Sequence, residues 1–334
     1  MKPVIYGLSG PVLTADEAAF FRSADPVGFI LFRRNIEDRA QLRALTDSLR
    51  DLAGRTDVPI LIDQEGGRVS RMAPPEWPAF PAGPAFDRLY DVAPMSAIQA
   101  ARANAQALGL MLAEVGINVD CLPLLDVVQP DTTDAISTRA YGAEPMRVAA
   151  IGRAVLEGLA AGGVVGVMKH MPGHGRAIVD THHHLPTVTA SDDELEVDLE
   201  PFRALADRAV MGMTSHIVFQ AWDADRPATL SPTVVEEVIR GRIGFDGLLM
   251  TDDIDMKALS GTAGEKAHAS IAAGCDVVLD CWARMDEMEE IAGRLGDMPD
   301  RSRARLDRAM ATLTPPEGDF DELIATRDAF LALA

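Results

Sequence analysis

The sequence predicts a (β/α)8 barrel, and three observations carry that reading. Eight short apolar runs rich in β-branched residues alternate with stretches of helical period. Each run is apolar enough to be buried on both faces, as in a parallel sheet covered by helices. The chain has 334 residues, more than the roughly 250 typical of one such barrel. A doubly wound open sheet is the competing architecture; the count of eight and the length favour the barrel.

Strands are expected at residues 4–8, 28–32, 59–63, 118–125, 164–170, 210–218, 248–252 and 276–279. An acidic helix follows the first. Between 38 and 53, Leu42, Leu45, Leu49 and Leu52 recur on one helical face, and Gly54 follows as a C-terminal stop. A longer helix at 96–115 ends at Gly116, and others are expected at 144–161, 191–208, 231–243 and 263–273. Residues 301–334 read as one or two closing helices broken by Pro315-Pro316. Five prolines between 73 and 84 read as a rigid loop on the face where the third strand ends. No fixed-period repeat or low-complexity linker divides the chain, so residues 1–334 are read as one barrel domain.

Composition narrows the function classes. Lys and Arg number 31 against 51 Asp and Glu, a formal charge of −20. That balance argues against a general nucleic-acid binder, which would show a basic patch or stripe, and gives no attraction to anionic membranes. Cys121, Cys275 and Cys281 are too few and too scattered for a disulfide framework or a recognisable zinc motif. The N-terminal segment lacks the apolar region and cleavage site of a secretory signal. No apolar run approaches the roughly 18 residues of a membrane span. The expected location is the cytoplasm.

In a barrel, the C-terminal ends of the strands face the active site. Here those ends carry Asp63-Gln64-Glu65, Lys169-His170, Ser215-His216 and Asp252-Asp253. Charged groups at strand ends are costly unless paired or used, so a catalytic pocket is the economical reading.

The segment Lys169-His170-Met171-Pro172-Gly173-His174-Gly175, followed by Asp180-Thr181-His182, resembles the Lys-His-x-Pro-Gly-His-Gly…Asp-Ser/Thr-His signature of family 3 glycoside hydrolases, in their β-N-acetylglucosaminidase branch. Three further blocks match in the family's order. Asp63-Gln64-Glu65-Gly66-Gly67-Arg68-Val69-Ser70-Arg71 is similar to its Asp-Gln-Glu-Gly-Gly-x-Val-x-Arg block. Arg139-Ala140-Tyr141-Gly142 is similar to Arg-Ser/Ala-Phe-Gly, with Tyr for Phe. Thr251-Asp252-Asp253-Ile254-Asp255-Met256 is similar to Ser-Asp-Asp-Leu-Ser-Met, with Thr, Ile and Asp substituted.

The resemblance implies that Asp252 is a carboxylate nucleophile forming a covalent glycosyl-enzyme. It implies His182 as general acid/base, oriented by Asp180, in place of the usual second carboxylate. An imidazole titrates near neutrality, and a carboxylate partner fixes its tautomer. Neighbouring strand residues point to opposite faces, so Asp253 is not expected to share the role of Asp252. The resemblance gives Asp63, Arg71, Arg139, Lys169 and His170 to binding of the sugar ring, whose hydroxyls and acetamido oxygen charged groups can hold. Bland alternatives are an Arg71–Glu65 pair and neutralisation of Asp252 by Lys169. The Gly66-Gly67 pair suits a tight turn. The run His182-His183-His184 is not expected to hold a metal, because consecutive residues rarely converge on one ion.

The implied activity is retaining removal of terminal, non-reducing β-linked N-acetylglucosamine from muropeptides or oligosaccharides, without a cofactor. The alternatives are a family 3 β-glucosidase, a phosphorolytic relative, or a sugar-binding regulatory barrel without catalysis.

Overall fold

Eight parallel strands close into a barrel in the computed structural model, which describes residues 1–334. They are β1 (Lys2–Gly7), β2 (Pro26–Leu31), β3 (Ile60–Ile62), β4 (Val119–Asp120), β5 (Val165–Met171), β6 (Met211–Thr214), β7 (Leu248–Asp253) and β8 (Val277–Asp280). Each pairs with its neighbours in sequence, and β1 meets β8 through Val4–Val278, Ile5–Leu279 and Tyr6–Asp280. The (β/α)8 expectation stands.

The third strand loses one residue at each end, and two others are much shorter than expected. The fourth stops at Asp120 because Pro123 brings no N–H to the ladder. It survives beyond that point as a Leu124–Lys169 bridge, with the Lys169 N–H on the Pro123 carbonyl at 3.0 Å. The sixth leaves the barrel after Thr214. There Thr229 Oγ1 takes both Thr214 Oγ1 and His216 Nδ1 at 2.7 Å. Val218–Phe219 then joins Thr187–Val188 in a separate two-stranded ribbon.

The helices follow their end signals. Arg39–Ala53 starts on the Asp38 side chain and stops at Gly54 in the left-handed region. Asp192–Leu205 opens on a capping box between Ser191 and Glu194. Pro94–Glu114, Pro145–Ala161 and Ala263–Ala273 fall where periodicity places them, whereas the 231–243 stretch winds as a π-helix over Val234–Ile243. Three helices were not foreseen, one of them the single turn Asp134–Ser137. Gly83–Val92 carries Pro84, the last proline of the Pro-rich loop, in its first turn, where that residue is well suited. Met285–Arg294 buries only Met288 and Ile291, too little to show as a period.

Strand alternation sorts the core into two. One face of each strand, including Val4, Tyr6, Phe29 and Ile62, packs outward on the helices. The other face fills the barrel with Ile5, Leu61, Val165, Val167, Met211, Leu248, Met250, Val277 and Leu279. Helix Asp300–Met310 adds Leu306, Ala309 and Met310 to that interior cluster. Its Arg305 pairs with Asp246 and Asp276, just before β7 and β8, so it plugs the N-terminal mouth. The opposite mouth is left to polar side chains. No helix is long and apolar enough to cross a membrane.

Candidate active site

The period of two that fills the barrel also selects what stands at its open mouth. Val165 and Val167 face inward, so Lys169 does too; Leu248 and Met250 put Asp252 on the same side, and Leu61 does so for Asp63. These residues line an open pocket of about 280 Å³. All eight residues singled out by the motifs border it: Asp63, Arg71, Arg139, Lys169, His170, Asp180, His182 and Asp252.

Its floor is a network of opposite charges. The Lys169 ammonium lies 3.0 Å from Asp63 Oδ1 and 2.7 Å from Glu65 Oε1. Arg139 grips Glu65 with both Nε (2.8 Å) and Nη2 (2.6 Å), a bidentate fork. Arg71 Nη2 reaches Asp63 Oδ2 at 3.2 Å. Burial alone would raise both acids. The Lys169 and Arg71 charges outweigh it and hold Asp63 far below the usual carboxylate range, and Arg139 with Lys169 brings Glu65 to about 2.

A staple holds Arg71 in place. Gln64 Oε1 accepts the backbone N–H groups of Arg71 (2.8 Å) and Met72 (3.0 Å), closing the hairpin of Gln64–Gly66 with Val69–Ser70. Gly66 turns that hairpin at φ 97°, and a Cβ there would stand 2.2 Å from the Pro81 carbonyl oxygen.

Asp252 is nearly buried and makes no ion pair. One of its oxygens accepts the N–H of Asp253 at 2.8 Å. Alternation does not carry through to Asp253: a register irregularity between Met250 and Asp253 leaves it bordering the same pocket, paired with inward-facing Leu279, and it accepts from the Asp255 N–H at 3.1 Å. Burial, then the charge of Asp255, pushes the Asp253 carboxyl up to about 7. It therefore holds a proton below neutrality, and Asp252 does not face a second full charge at its shoulder. His216 Nε2, 2.9 Å from the Asp253 carbonyl oxygen, braces the same segment.

Asp126 anchors the root of the next loop. Its Oδ2 accepts from His170 Nδ1 at 2.8 Å, leaving His170 Nε2 without a protein partner, and its Oδ1 accepts the His174 N–H at 2.7 Å. Gly175 lies so close to Val127 that a Cβ would come within 1.8 Å of its carbonyl oxygen. Further along, Asp180 Oδ1 accepts both the backbone N–H (2.9 Å) and Nδ1–H (2.7 Å) of His182. Nε2 of His182 is thereby the nitrogen free to exchange a proton. His183 and His184 are exposed and do not border the pocket.

The two bland alternatives are corrected. Arg71 pairs with Asp63 rather than Glu65, and Lys169 pairs with Asp63 and Glu65 rather than Asp252. Glu65 and Asp126 escaped the motif reading of the site. Alternation from Asp63 would have put Glu65 on the same side; nothing local marks Asp126, whose partners lie 44 and 48 residues on.

Residues 14–313 match the model of the glycosyl hydrolase family 3 N terminal domain. A β-hexosaminidase of Bordetella avium is 35% identical over 322 residues, covering 95% of this chain and 90% of that protein. NagZ from Neisseria gonorrhoeae, solved in complex with N-trifluoroacetyl-D-glucosamine, superposes with a TM-score of 0.87 at 30% identity, covering 100% of this chain and 98% of that one. A family 3 β-N-acetylglucosaminidase from Paenibacillus sp. has the same TM-score at 31% identity; this chain spans 66% of its length. With the four motifs gathered at one barrel mouth, these matches establish that the chain belongs to glycosyl hydrolase family 3.

Proposed function

We propose that this protein is a retaining exo-β-N-acetylglucosaminidase that removes terminal, non-reducing β-linked N-acetylglucosamine. The observation that carries the reading is Asp252, a carboxylate free of ion pairs at the mouth of a pocket whose rim bears the Asp180–His182 pair. Asp252 attacks the anomeric carbon while His182 gives the leaving oxygen its proton from Nε2. The same imidazole then takes a proton from water, which releases the sugar from Asp252. Asp180 fixes the tautomer and steadies the imidazolium. Asp63, Arg71, Arg139, Lys169 and His170 hold the sugar ring, with their geometry set before substrate arrives. The relatives named β-hexosaminidase and β-N-acetylglucosaminidase support N-acetylglucosamine over glucose as the sugar. The substrate we infer is a cell-wall muropeptide, handled in the cytoplasm.

The test is a panel of aryl glycosides and a muropeptide, with products analysed in the presence and absence of phosphate. We expect N-acetylglucosaminides to be cut to free sugar in both conditions. Preference for glucosides, or a sugar phosphate as product, overturns the reading. An activated fluoro-sugar should label Asp252, and Asp252→Ala should reduce turnover to background with the fold intact. Labelling of Asp253 or Asp63 removes Asp252 from the role.

A further inference from the structure

Behind the strand that carries Asp252 lies a second acidic cluster that the proposed chemistry does not use. Asp255 follows β7, Asp280 ends β8, and Glu287 stands in the first turn of helix Met285–Arg294. One carboxylate oxygen from each lies within 4.8 Å of the others. Asp280 is on the outward face of β8, opposite to Leu279, and so is turned away from the sugar pocket.

Asp280 is only 1% exposed, yet neither of its oxygens has a hydrogen-bond partner, and Asp255 Oδ2 has none either. Buried polar atoms are almost always satisfied, and an unpaired buried charge is expensive. The local cations do not meet the need. Arg284 reaches Asp255 (3.1 Å) and Glu287 (2.5 Å) but makes no pair with Asp280. The buried Lys266 ammonium is on the Ile254 carbonyl at 2.7 Å. One guanidinium serves three carboxyl groups, and the unpartnered oxygens of Asp255 and Asp280 belong to the cluster whose ligand atoms lie within 4.8 Å of one another. Asp255 is also where this chain departs from the Ser of the motif it resembles, so the third ligand is a feature of this sequence.

We propose that Asp255, Asp280 and Glu287 bind one calcium ion. An all-carboxylate donor set suits a hard cation, and oxygens no more than 4.8 Å apart fit across an ion whose bonds to oxygen run about 2.3–2.6 Å. Partly exposed Glu287 gives the ion and its waters a way in. The ion ties the turn after Asp252 to β8 and to the following helix, and so acts on stability before it acts on chemistry.

The test uses the full chain, treated with EDTA and dialysed, then titrated with calcium chloride by calorimetry and by thermal unfolding. We expect one site per chain and a rise in Tm of about 4 °C at calcium a hundredfold above Kd. Asp280→Asn and Asp255→Ser should each lose that rise; the second restores the motif's own residue and keeps the test sound if the first folds poorly. No heat and no change in Tm with wild type at about 10 mM calcium, above the weakest range of such sites, overturns the proposal. An equal rise in both variants overturns it as well, since the ion then binds elsewhere.

Discussion

At the floor of the pocket the Lys169 side chain is 2% exposed and shares Asp63 and Glu65 with Arg71 and Arg139; at the rim His182 is 60% exposed and has Asp180 as its one partner. The floor groups come from distant parts of the chain and are locked by one another at strand ends. The rim pair is two residues apart on a loop whose root is fastened by Asp126 and Gly175 but whose tip faces solvent. Buried opposite charges that satisfy one another are rigid, and removing one leaves the others uncompensated. An exposed pair costs little to form and little to lose. On the proposed mechanism, recognition is thus built where the fold is stiff, and proton transfer where a side chain can approach and withdraw from the leaving group.

The largest effect should separate the two by chemistry. His182→Ala is expected to slow a sugar aglycone by about 10²–10⁴-fold, the usual worth of a general acid. A nitrophenyl aglycone departs as an anion without that proton and should be slowed far less. Melting temperature should move little, since surface substitutions usually stay within about 0.5 kcal/mol. Equal losses across a series of leaving groups would take His182 out of the mechanism.

Lys169→Ala breaks the comparison from the other side. It strands two carboxylates that Arg71 and Arg139 only partly cover, so a loss near the lower end of about 3–5 kcal/mol is expected in urea unfolding. Binding of N-acetylglucosamine should weaken by about 10- to 150-fold, for one charged hydrogen bond. A variant as stable as wild type would show that the floor is not held by its charges.

Acid should weaken both the floor and the loop root. Glu65 and Asp126 are held near 2, below their values in the unfolded chain. The stability they contribute is therefore complete above pH 4–5 and is lost as pH falls through about 2. Asp253 has the opposite sign: raised to about 7, it favours the folded state in acid and withdraws that help as pH rises toward neutrality and beyond. Unfolding midpoints across this range should show Asp253→Asn gaining on wild type as pH rises from about 4 through about 7, with no further gain above. Parallel curves would contradict the shift.

Sequence reasoning reached the barrel and the inward direction of Lys169 and Asp252, because both follow from a period of two and a count of apolar runs. It did not reach the pairings. Whether Arg71 meets Asp63 or Glu65 depends on a hairpin closed by Gln64, and whether Lys169 meets Asp252 depends on how far β5 and β7 are separated around the barrel. Strand lengths failed for a similar reason. Pro123 and Thr229 redirect β4 and β6 through single atoms, a missing N–H and one hydroxyl, which leave no trace in hydrophobic pattern. The Asp180–His182 pair came from the family motif, and its contact closes within three residues.

The smallest effect belongs to that pair. In Asp180→Asn the amide oxygen can still accept the His182 backbone N–H, so the turn survives and only the charge beside the imidazole is lost. Because Asp180 is a third exposed and His182 more so, solvent screens the pair, and stability should change by no more than about 1 kcal/mol. Its role in the proposed mechanism is more demanding: the imidazole would present Nε2 with the proton, and Asp180 favours that arrangement through Nδ1–H. Turnover of a sugar aglycone should therefore fall between wild type and His182→Ala, with the same dependence on leaving-group acidity but a gentler slope. Equal losses across the leaving-group series would mean that Asp180 shapes the loop and leaves the proton alone.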